Sequence, residues 1–193
     1  MATTTLFVEI LVMGALAELW FAGVVLALVD MSQVRQIGAT IASLSNFTAL
    51  FATLALALTY AIGWALNFVA RQLFNPLREK RMLEELFAGG SKNYDKDRAI
   101  VFQYGSVDVL RDLHLDRHIV RIARSNVLNF TLIAFAAVLN ACSIHPPVLF
   151  LLIITCLAVA MLSYQQWRIR YKAYYTKIAM CAGMLRVENK LTW

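Results

Sequence analysis

Charge is scarce in this chain of 193 residues. Only 16% of it is Asp, Glu, Lys or Arg, against about a quarter in an ordinary soluble domain. Prolines number three and cysteines three, and no basic residue falls inside any of four long apolar stretches. Each shortage excludes something. Cys142, Cys156 and Cys181 form no CxxC pair, and no histidine stands beside one at ligand spacing, so no metal site is expected. The three thiols are expected outside, within and inside a membrane respectively, which argues against an intrachain disulfide. The chain lacks G-x-S-x-G, a Walker loop, HExxH and a dinucleotide fingerprint, so no catalytic residue is assigned and no cofactor is expected. Arg111-x6-His118 matches the loose Arg–His spacing of HEPN-type ribonucleases, but one such pair recurs by chance in any basic loop. The first residues carry no basic n-region, and the apolar stretch behind them is too long for a signal-peptide core. It is read as a retained span.

What the chain does have is oil. It is 60% hydrophobic, with a mean hydropathy of +0.63. Four apolar segments are read as spans: about 6–29, 41–70, 127–141 (with a helical lead-in from the cytoplasm) and 147–164. The expected fold class is therefore an all-α integral membrane protein, four transmembrane helices with a small, mainly helical cytoplasmic cap. Residues 1–70 hold spans 1 and 2, residues 71–126 a cytoplasmic loop region, residues 127–167 spans 3 and 4, and residues 168–193 a cytoplasmic C-terminal helix. A short polar turn, Asp30–Gly38, is expected between the first two spans. In the central loop, Asn75-Pro76 reads as a helix start and Gly89-Gly90 as its stop, with Leu83, Leu86 and Phe87 on one apolar face. AIVFQY is either a short strand or a buried helical turn.

The cations that exist are concentrated. Of eighteen Lys and Arg, seventeen lie in two blocks, Arg71–Arg124 and Arg168–Lys190, and Arg35 alone lies elsewhere. Cytoplasmic flanks of membrane spans collect Lys and Arg, so both blocks are placed inside and both termini with them. The same bias accounts for the net charge of +6, which leaves little reason to invoke direct nucleic-acid binding. A bacterial inner membrane is the expected location.

Polar residues within the spans are the candidate site. Glu18 stands near the middle of span 1, on a face with Gly14 and Ala22. A carboxyl at that depth marks either a pore or proton path or a packing bond to a neighbouring helix. Glu9 is nine residues away, on nearly the opposite face, and is expected at the interface or beside a loop cation. Span 2 carries Asn46, Thr53, Tyr60 and Asn67 at sevenfold spacing, with Gly63 between. Span 3 carries Asn129 and Asn140. Amides in lipid need partners, so these stripes face each other, another subunit or a hydrated lumen.

Two surface groups complete the reading. Arg117, Arg121 and Arg124 share one helical face, and Arg168, Arg170 and Lys172 follow span 4. Together they suit anionic lipid headgroups or an acidic partner. Gly14, Ala22 and Gly63, with the aromatic face Tyr171, Tyr174 and Tyr175, are expected to pack an oligomer, although the aromatics also suit the central loop. The functional expectation is a non-enzymatic, homo-oligomeric membrane sensor or effector, with or without an ion path, that couples membrane lipids to a cytosolic or membrane protein partner. The likeness to small membrane proteins of bacterial defence and stress modules is architectural only. The alternative is a structural or accessory subunit of a larger membrane complex.

Overall fold

The computed structural model describes residues 2–29, 31–43, 47–74, 83–87, 91–144 and 147–189. Among these the chain is all-helical, without a strand. The helices are α1 (Ala2–Leu28), α2 (Met31–Ser43), α3 (Thr48–Phe74), α4 (Ser91–Tyr104), α5 (Val107–Ile144) and α6 (Pro147–Asn189). Four of them, α1, α3, α5 and α6, are long and apolar enough to cross a membrane. Their length follows from composition: nothing inside these runs is a proline, and in hydrocarbon a helix satisfies every backbone N–H and C=O internally.

The boundaries are local chemistry. Gly105 ends α4, its N–H donating to Val101 O at 2.9 Å. Ser106 then starts α5, its Oγ accepting from Val109 N at 3.4 Å as an N-cap. Pro147 opens α6 at a position where a missing N–H costs nothing.

Two expectations differ. The stretch expected as a polar turn is helical from Met31 to Ser43, and the second span begins at Thr48 rather than near 41. Val34, Ile37 and Ile41 recur at helical spacing among Ser32, Gln33, Arg35 and Gln36, so this segment is an amphipathic helix that borrows the first apolar residues of the run behind it. AIVFQY belongs to α4, with Ile100 and Val101 buried. Asn46, Asn75-Pro76 and Gly89-Gly90 lie outside the described residues.

The chain divides into two compact units. The apolar unit holds Met1–Ala70 and Ser125–Ser163. In it α1 and α3 run antiparallel: Gly63 meets Ile10 and Gly14, whereas Thr59, one turn earlier, meets Gly14 and Glu18. The apolar part of α5 runs parallel to α1, since Asn129 reaches Met13 and Asn140 reaches Gly23.

The polar unit holds Arg71–Arg124 and Tyr164–Trp193. It contains seventeen of the eighteen cations and nine of the twelve acids. Its core is built from Leu83 and Phe87, Val101 of α4, Leu113, Val120 and Ala123 of α5, and Trp167, Tyr171, Tyr174, Tyr175, Ile178 and Ala182 of α6, with Leu86 packed against it. The α6 members recur every three or four residues, which is one helical face. A run of ring contacts joins them: Phe74 to Trp167 (5.5 Å between centroids), Trp167 to Tyr171 (5.5 Å), Tyr171 to Tyr175 (4.9 Å), Tyr175 to Tyr94 (5.0 Å) and Tyr94 to Phe87 (5.4 Å). The aromatic face and the Leu83–Phe87 stripe thus cover each other within one chain. Tyr171, Tyr174 and Tyr175 are core residues of this unit, not a surface kept for a second copy.

Candidate functional site

The α1–α3 crossing is set by two missing side chains. A Cβ on Gly14 would lie 1.8 Å from Thr59 O, and one on Gly63 would lie 2.0 Å from Ile10 O. Small residues let membrane helices approach closely, and here the two backbones touch. Gly14 and Gly63 therefore pack α1 on α3 inside one chain, where the sequence pattern suggested an oligomer contact. Ala22 is exposed and takes no part in that crossing. Its neighbour Gly23 does the packing instead, against Ala136 of α5.

That crossing positions Glu18. The half-buried carboxyl has its Oε1 2.5 Å from Thr59 Oγ1, and the same Oγ1 lies 2.8 Å from Ala55 O. Glu9, on the same helix, is buried. Thr59 was not singled out by the sevenfold stripe, although its spacing of four from Gly63 places both on one face. The buried face of α3 is Thr59, Gly63, Leu66 and Ala70. Thr53 and Tyr60 are exposed: the Thr53 hydroxyl donates to Ala49 O at 2.9 Å, and Tyr60 stacks on Phe7 at 5.4 Å. Asn67 is half-buried at the edge of that face.

The span 3 amides face α1. Asn129 is fully buried and donates from Nδ2 to Met13 O at 3.1 Å. Asn140 donates from Nδ2 to Gly23 O at 2.8 Å and to its own helix at Ala136 O. Both bonds end on main-chain carbonyls of α1, although position 23 must also stay small where it packs on Ala136. Ser125 Oγ and Asn129 Oδ1, one turn apart on α5, are buried without a protein hydrogen-bond partner.

The six cations of the expected binding surface do not behave alike. Arg117, Arg168 and Lys172 are exposed. Arg121 is half-buried and contacts His118 Nδ1 at 2.7 Å. Arg124 is buried. Arg170 pairs with Asp116 at 3.3 Å. Asp116, also buried, accepts from Lys177 at 2.7 Å, and Asp112 stands 3.6 Å from the same ammonium. The hydrogen bond to Asp116 holds the Lys177 ammonium above its ordinary range, with the charges of Asp116 and Asp112 adding to it against a smaller opposing effect of burial. A second pair joins Arg186 to Asp97. There burial pushes the carboxyl up, and the nearby guanidinium opposes it. These acids had a signal in the sequence. Asp116 lies three residues after Leu113 and four before Val120, and Asp97 lies three and four before Ile100 and Val101. Each acid is on an apolar helical face, where a carboxylate needs a partner.

Among the described residues no group of three or more His, Cys, Asp and Glu converges as a metal site would require. The chain matches no protein-family model, no curated protein and no solved structure.

Proposed function

We propose that the chain is a non-enzymatic membrane sensor or effector that couples the bilayer to a soluble partner through its polar unit. The observation that carries this reading is the sharing of helices. α5 and α6 each supply residues to the apolar unit and to the polar unit, so a change in how the spans pack is a change in helices that also build the basic surface. In this reading both cation-rich segments face the cytoplasm, as the positive-inside bias requires, and Arg117, Arg168 and Lys172 are the contact residues. The reading needs no ion path. Asn129 and Asn140 are engaged with α1 main chain, and Glu18 with Thr59.

A second reading, an accessory subunit of a larger membrane complex, has one observation in its favour. On α3 only Thr59, Gly63, Leu66 and Ala70 are buried, leaving Thr53 and Tyr60 on a face open to lipid or to another span.

One experiment separates the two. Photo-crosslinking residues placed at Arg168 and, separately, at Thr53 report which face meets protein in the native membrane. The sensor reading expects a soluble protein crosslinked at position 168 and lost when Arg117 and Lys172 are both changed to Ala. Crosslinks confined to position 53, and to an integral membrane protein, would transfer the chain to the accessory class.

A further inference from the structure

Thr59 has one hydroxyl proton and two oxygen neighbours at hydrogen-bond distance: Glu18 Oε1 at 2.5 Å and Ala55 O at 2.8 Å. The Ala55 carbonyl has no proton to give. If Glu18 were a carboxylate it would have none either, and one proton would have to serve two acceptors. That proton could at best be shared between them, and neither short contact would then be a full, linear hydrogen bond. Both contacts are satisfied together when Glu18 supplies the second proton. Its O–H then donates to Thr59 Oγ1, and the Thr59 hydroxyl donates to Ala55 O.

The charge census of the unit agrees. Along the sequence of the apolar unit the charged residues are Glu9, Glu18, Asp30 and Arg35, three acids and one cation. Arg35 is exposed on α2. On α1, Glu9 is another acid, about half a turn away in azimuth after nine residues. The one titratable side chain that α3 adds to this unit, Tyr60, stacks on Phe7 instead. The parts of α5 and α6 in this unit contribute Cys142 and Cys156 and, among the described residues, no charged group. An ionised Glu18 would have no lysine or arginine of these spans to pair with, and an uncompensated charge at membrane depth is costly.

We propose that Glu18 is a proton-binding site of the folded protein: a neutral carboxylic acid held by Thr59 at the α1–α3 crossing. The inference stands on the apolar unit alone and does not depend on the partner reading above.

The test is an infrared difference spectrum of the full chain in lipid at neutral pH, native against Glu18→Gln. The expected result is loss, in the variant, of one carboxylic-acid carbonyl band that shifts on deuteration. Appearance of a carboxylate pair in the same difference, with no acid band, overturns the proposal. Should Glu18→Gln fail to fold, Thr59→Val keeps the acid and removes its acceptor. The acid band is then expected to move to higher frequency as its hydrogen bond is lost, and a native-against-Thr59→Val difference that is flat in the acid region overturns the proposal as well.

Discussion

Asn129 donates its side-chain amide to the carbonyl of Met13, a residue 116 positions earlier in the chain. Eleven residues further along the same helix, Asn140 makes the equivalent bond to Gly23. These two rungs hold the first and third apolar helices in register, and the following predictions start from them.

Asn129→Leu keeps the branched shape, at somewhat larger volume, and removes the donor. The apolar unit is expected to lose about 1 kcal/mol, and no more than about 2 kcal/mol, because interhelical hydrogen bonds in membrane proteins contribute in that range. Asn140→Leu should cost less, since its amide also bonds its own helix. Denaturation of the purified protein by graded detergent, followed by far-UV circular dichroism, measures both.

Gly63→Leu should be far worse. Even one added carbon meets Ile10 O at 2.0 Å, and that atom is backbone, so α1 and α3 must separate. Overpacking costs about 1–3 kcal/mol where side chains can yield, and here they cannot. Gly183→Ala is the contrast. Nothing lies within 4 Å of a Cβ there, and the position is inside α6. Relief of glycine's backbone entropy should stabilise the helix by about 0.5–1 kcal/mol. Matched thermal melts of the two variants decide; equal melting temperatures would remove the α1–α3 crossing from the account.

Asp116 gathers two cations of α6. Asp116→Asn is expected to destabilise the polar unit by about 1.5–3 kcal/mol, the range for hydrogen bonds to charged groups. Exposure of Lys177 and Arg170 favours the lower end.

The same cluster sets a pH dependence. Because the folded state holds the Lys177 proton more tightly than the unfolded chain does, its contribution is complete below the ordinary lysine range. It is lost as pH rises through the higher folded-state value. An alkaline fall in melting temperature should therefore be smaller in Lys177→Met than in the native protein. An unchanged alkaline limb would show that the pair contributes nothing.

Trp167→Ala removes the ring that links Phe74, Tyr164 and Tyr171. The side chain is only 1% exposed, and truncation of such an aromatic costs about 3–5 kcal/mol. Loss of the cooperative melt of the polar unit, with the helical signal of the spans retained, is the expected outcome.

Much of the fold was legible because four long apolar runs without an internal proline read as helices long enough to cross a membrane. What escaped was whatever depended on a partner distant in the chain. The sevenfold stripe through Thr53, Tyr60 and Asn67 counted polarity, yet the packed face of α3 was chosen by the lack of a side chain at Gly63. The aromatic face of Tyr171, Tyr174 and Tyr175 was legible as suiting either the central loop or an oligomer, and the packing of Leu83 and Phe87 against it selects the loop. Helix α2 was hidden because its last apolar residues merge with the run that follows. Asn129 and Asn140 were identified as amides in need of acceptors. Nothing in their spacing said that the acceptors would be main-chain atoms of α1.

The placement of the indoles has a practical consequence. Trp20 and Trp64 belong to the apolar unit, whereas Trp167 lies in the core of the polar unit. Replacing Trp20, Trp64 and Trp193 with phenylalanine leaves one buried fluorophore. Its emission reports loosening around Tyr171, while the ellipticity of the same sample follows the helices throughout, so the order in which the two units give way becomes readable in an intact, unlabelled chain.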